Sequence, residues 1–140
     1  MRVWHRVCDK ADLMSFDTID PELLAGACGG INMRLTQYGY RNDPYMDSYT
    51  RRGLGAYRHL ATGESIALTD SSLLALGLTR RDVRHHHYWV DLKLKGGGVL
   101  HRRIDDLAPQ KSRRADLYMP QGFDRHLPDY ADLSLSRRVA

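Results

Sequence analysis

Residues 85–105, HHHYWVDLKLKGGGVLHRRID, constrain this chain more than any other stretch. Val90, Leu92 and Leu94 alternate with Asp91, Lys93 and Lys95. Side chains of a strand point to opposite faces with a period of two, so this alternation predicts a half-buried strand. Gly96, Gly97 and Gly98 follow, and glycine enters most readily the backbone regions that tight reversals need. VLHRRID then reads as the returning strand. Together the two strands predict a β-hairpin.

The rest of the sequence fits that frame. INMRLTQYGY (31–40) is β-like in alternation and in its Thr and Tyr content. RNDPYMDSYTRRGLG (41–55) carries Asn, Asp, Pro and Gly at turn spacings and predicts a long loop. ESIALT (64–69) reads as a short apolar strand. DSSLLALGL (70–78) predicts a helical turn with Asp70 as N-cap and Gly77 as terminator. ADLYM (115–119) is the last clear strand. The tail from Pro120 contains a second proline, Pro128, and reads as loop with one short helix. Upstream, Asp20, Pro21 and the Gly29-Gly30 pair bracket a short helix. The plan is an N-terminal extension (1–30), a β domain (31–120) and a C-terminal tail (121–140). Short strands and few helices predict a small barrel or sandwich.

A chain of 140 residues suits one domain, and 42% hydrophobic content is enough to bury a core. The net charge of +4 is spread over separated pairs such as Arg51-Arg52, Arg80-Arg81, Arg102-Arg103 and Arg113-Arg114. No basic block with interleaved aromatics occurs, which argues against a nucleic-acid partner. A mildly basic surface suits an anionic polymer such as a bacterial cell wall. No stretch is long and apolar enough to span a bilayer, and the start lacks the apolar core of a signal peptide. That leaves a cytosolic protein, loss of a targeting segment, or export by another route. Cys8 and Cys28 match no metal-binding spacing; one disulfide and two free thiols both remain open.

Three groups of residues occur in a telling order. Thr36-Gln37-Tyr38 continues into Gly39-Tyr40. Ile66-Ala67-Leu68 leads to Asp70 and then Leu76-Gly77. Asp105 is followed eleven residues later by Asp116-Leu117-Tyr118. From about residue 35 to 120, this order resembles the three-aspartate domain of membrane-bound lytic transglycosylase A and of related spore and stationary-phase cell-wall enzymes. The resemblance implies a small six-stranded double-psi β-barrel, the fold shared with barwin, expansins and rare lipoprotein A. This chain departs from the family at its Asp-Thr-Gly-Gly turn, which here reads Asp-Asp-Leu-Ala-Pro. A second register sets Asp106-Leu107-Ala108-Pro109 against the Asp-Arg-Gly-Pro of rare lipoprotein A. Both Asp105 and Asp106 therefore stand as candidates, and strand alternation lets one of them face a groove.

The resemblance implies cleavage of peptidoglycan or a related polysaccharide, in the cell envelope or after secretion. The sugar's own C6 hydroxyl attacks C1 and yields a 1,6-anhydro product, with no cofactor and no metal. It makes Asp105 or Asp106 the acid/base, with Asp116 raising its pKa by like-charge proximity. Thr36, Tyr38, Tyr40 and Asp70 fall on the substrate side, and Tyr57 and Trp89 are further stacking candidates. Against this stands a non-catalytic barwin- or expansin-like barrel that binds polysaccharide or protein. The carboxylates are then loop acids paired with Arg102, Arg103, Arg113 or Arg114. His85 and His87 would share one strand face, with His101 opposite, as metal ligands can; a polar hairpin face is the simpler expectation. The Tyr45/Tyr49 loop is a candidate partner surface.

Overall fold

The computed structural model describes residues 30–136. Cys8, Cys28 and the helix expected after Asp20 lie outside the described residues. Six strands form a closed barrel: β1 (Ile31–Tyr38), β2 (Ser65–Leu68), β3 (Trp89–Leu94), β4 (Val99–Leu107), β5 (Arg114–Tyr118) and β6 (Tyr130–Leu135). Their order around the barrel is β1-β5-β2-β4-β3-β6. The pairs β1/β5 and β2/β4 are parallel and the other four are antiparallel. Advancing every strand by three turns this set of pairings into itself, with each sense preserved. The barrel thus has an internal pseudo-twofold, with one parallel crossover in each half, which is the double-psi arrangement.

Alternation builds the core. Ile31, Met33 and Leu35 of β1 point inward, as do Ile66 and Leu68, Val90 and Leu92, Ala115 and Leu117, and Ala131, Leu133 and Leu135. β6 lies inside the segment expected to be tail, and it closes the barrel between β1 and β3. Its YADLSL sequence carries the same period-two signal, overshadowed by the prolines upstream.

Three short helices sit in the connections: α1 (Ser48–Arg51), α2 (Asp70–Ala75) and α3 (Arg80–His85). The N-cap of α2 is Thr69, whose hydroxyl accepts from the backbone N–H of Ser72; Asp70 is the first helical residue. Asp70 is exposed and forms a two-bond pair with Arg80 at 2.7 and 2.5 Å. The His cluster is not on a strand. His85 ends α3, His86 is its C-cap, and β3 begins only at Trp89. α3 is stabilised instead by a capping box between Thr79 and Asp82, an N-terminal signal that outranks the alternation of the histidines.

Candidate active site

A groove of about 1160 Å3 lies on the outer face of β1, β5, β2 and β4. The 39–64 loop and the 119–129 loop wall it. Its floor is one lateral row of residues, Thr36–Asp116–Ala67–Asp106, set by strand register. Ala67 is the small residue between the two acids. It leaves two strand spacings, about 9–10 Å at the Cα level, across the centre of the floor.

The acidic doublet is resolved by a β-bulge. Ile66 pairs with Ile104 but Ala67 pairs with Asp106, so Asp105 is the extra residue in β4. Ile104 stays in the core, Asp106 joins the groove floor, and Asp105 turns away beneath the 55–61 loop. Asp105 is fully buried. Its Oδ1 accepts from Arg58 at 3.1 Å and from Arg103 at 2.7 Å, and its Oδ2 accepts from the Ser65 hydroxyl at 2.5 Å. Arg58 also donates to the carbonyls of Ile104, Val83 and His86, tying the groove wall to the end of α3. Asp105 is therefore part of the framework beneath the groove and does not face it.

Asp106 and Asp116 have different surroundings. Oδ1 of Asp106 accepts from the N–H groups of Ala56 (2.7 Å) and Leu107 (2.8 Å), and Oδ2 accepts from the Tyr38 hydroxyl (3.0 Å). Burial pushes its pKa up, opposed by those three donors. A carboxylate offers about four acceptor positions, so little remains for another proton. Tyr38 is pushed well above the ordinary phenol range, chiefly by burial and then by Asp106, and stays a donor.

Asp116 has one donor, the Thr36 hydroxyl, at 3.0 Å to Oδ1. Burial raises its pKa to about 7, with Asp43 and Asp106 adding to the rise and Thr36 and Arg114 opposing it. Desolvation thus dominates, and like-charge repulsion from Asp106 is the smallest contribution. Near neutrality this carboxyl is poised to hold or release a proton.

Aromatic rings line the mouth. Tyr45 is 92% exposed, Tyr49 61% and Phe123 56%, and all three border the groove. Tyr40 packs edge-on against Phe123 at 5.2 Å, and Tyr38 lies 5.6 Å from Tyr118. The two oxygens of Asp43 accept from the N–H groups of Gly39 and Tyr45, which fixes the turn presenting Tyr45.

Of the expected site residues, the groove gathers Thr36, Tyr38, Tyr40, Asp106 and Asp116. Asp105 lies below it, and Asp70 lies elsewhere, paired with Arg80. Tyr57 packs on the core, and Trp89 stacks against His101 at 4.6 Å on the β3–β4 face. His101 pairs with Asp91 at 2.6 Å. No group of three or more His, Cys, Asp or Glu among the described residues is arranged to hold a metal. No helix among them is long and apolar enough to cross a membrane. Sequence reasoning missed Arg58, Ser65 and Phe123, whose roles depend on long-range contacts.

Neither the scan against protein-family models nor the search of curated proteins finds a match for this chain.

Proposed function

We propose that this barrel binds a cell-wall-type glycan strand and cleaves it as a lytic transglycosylase does, with Asp116 as the proton carrier. The unequal environment of the two groove carboxyls supports the reading most. Asp116 is desolvated and singly bonded, with a pKa of about 7, whereas three donors surround Asp106. Neighbouring carboxyls in unequal environments are what acid/base assignments rest on.

In this mechanism protonated Asp116 gives its proton to the glycosidic oxygen, and the C1–O bond breaks. Negative Asp106 stabilises the developing positive charge on the sugar ring. The C6 hydroxyl of the same sugar closes on C1 and releases its proton to the Asp116 carboxylate. The acid is regenerated, a 1,6-anhydro end forms, and no water is consumed. This reverses the roles expected from the family pattern, where Asp116 was the modulator. Asp106 is a poor base for activating water because three donors already occupy it, which disfavours simple hydrolysis. The exposed rings of Tyr45, Tyr49 and Phe123 supply apolar faces for sugars.

Incubation with peptidoglycan followed by mass spectrometry tests the proposal. Wild type should release muropeptides with 1,6-anhydro ends, and Asp116→Asn should release none. Ordinary reducing ends would replace the transglycosylase by a hydrolase. Binding without any product would favour the non-catalytic polysaccharide-binding barrel.

A further inference from the structure

Two arginines stand side by side next to the groove floor. Arg34 of β1 and Arg114 of β5 are register partners, two residues along the strands from the Thr36/Asp116 pair and on the same face. Both take the outward alternation, between the buried Met33, Leu35 and Ala115, and both line the groove. Like charges directly opposed in a sheet are unfavourable, and a neighbouring carboxylate is the usual relief. Among the described residues neither guanidinium takes part in an ion pair; Asp116 feels the charge of Arg114 but forms no salt bridge with it. The Nε of Arg114 is buried with no hydrogen-bond partner.

The position is also rigid. The backbone N–H of Arg114 donates to the Ser72 hydroxyl at 2.9 Å, and its carbonyl accepts from the same hydroxyl at 3.0 Å. A third arginine, Arg125, borders the groove, likewise outside any ion pair among the described residues. Its loop is held by two reciprocal bonds of 2.8 Å between Gln37 and the backbone of Asp124.

We infer that Arg34 and Arg114 form a carboxylate-binding subsite beside Asp116, so that the glycan taken by this groove bears an acidic group close to the scissile bond. This rests on the glycan reading above. Guanidinium forks bind carboxylates through paired, charge-assisted bonds. Two residues along a strand rise about 6.6–6.8 Å, which places the bound carboxylate roughly one sugar ring from Asp116. Two kinds of sugar present that chemistry: a hexosamine whose lactyl ether carries a free carboxyl with no peptide attached, and a uronic acid.

Calorimetric titration in the Asp116→Asn background, which leaves the ligand intact, tests the subsite. The probes are a tetrasaccharide alternating N-acetylglucosamine and N-acetylmuramic acid, its carboxyl-reduced form, and an oligogalacturonide. At low salt an acidic probe should bind about tenfold more tightly than the reduced one, the worth of one charge-assisted contact. The added substitution Arg34→Gln, at an exposed position, should erase most of that preference, and Arg114→Gln should do the same. Preference for the muramyl probe or for the galacturonide identifies the source of the carboxylate. Equal binding of the acidic and reduced tetrasaccharides, with the galacturonide unbound, overturns the subsite and leaves the glycan reading standing. Binding of none of the probes overturns both.

Discussion

Replacing Asp116 by Asn should flatten a pH dependence of stability that the native carboxyl imposes. The carboxyl moves from an ordinary 3.8 to about 7 on folding because it leaves water. At about 1.36 kcal/mol per pH unit, that amounts to about 4 kcal/mol between its charged and neutral forms. The folded state holds this proton more tightly than the unfolded chain does. The contribution is therefore fully present below the unfolded pKa and is lost as pH rises through 7. Between pH 8 and pH 5 the native residue should add about 2.5 kcal/mol of stability, most of the remainder appearing by about pH 4. Asn keeps an oxygen for the Thr36 hydroxyl but cannot ionise. Urea denaturation of both proteins at the two pH values gives a double difference in which titrating groups not coupled to Asp116 cancel. Wild type should lose about 2.5 kcal/mol relative to Asp116→Asn on going from pH 5 to pH 8. Parallel stability curves for the two proteins would refute the claim that burial holds the proton on Asp116.

Three further substitutions probe the framework and the rim. Asp105→Ala strands two arginines beneath the groove wall and should cost about 3–5 kcal/mol in urea denaturation. Gly55→Ala places a methyl 2.6 Å from the Asp105 carbonyl oxygen and 2.9 Å from that of Arg58, so overpacking should cost about 1–3 kcal/mol, read as a lower denaturation midpoint. Tyr45→Ala, at a 92% exposed position, should change stability by less than about 0.5 kcal/mol while weakening retention on a peptidoglycan column.

Much of the barrel was legible because alternation and turn chemistry agree with the final packing. The Gly96–Gly98 hairpin, the outward Thr36 and Tyr38, and the Asp116 strand all follow the period-two pattern. β6 carries that pattern too, but the prolines before it suggested a tail. Its role as the closing strand arises only from pairing with β1 and β3. The order of Asp105 and Asp106 was not readable, because a bulge shifts alternation by one residue and is fixed by Arg58 and Ser65, which lie 47 and 40 positions away. The strand expected for the histidines gave way to α3, whose capping box is local and was present in Thr79 and Asp82. The unequal surroundings of the two carboxyls lay beyond reach for a similar reason. Three donors converge on Asp106 from Tyr38, the Ala56 backbone and its own neighbour, and no spacing rule reports how many will reach a given acid.

The account turns on whether Asp116 carries a proton near neutrality at the floor of the groove. Carbon-13 NMR of its side-chain carboxyl, assigned by loss of the signal in Asp116→Asn and followed from acid to alkaline pH, measures this directly. A titration midpoint near 7 is the expected result. A midpoint near 3.8, the ordinary value for an aspartate, would contradict the account and remove Asp116 as the proton carrier.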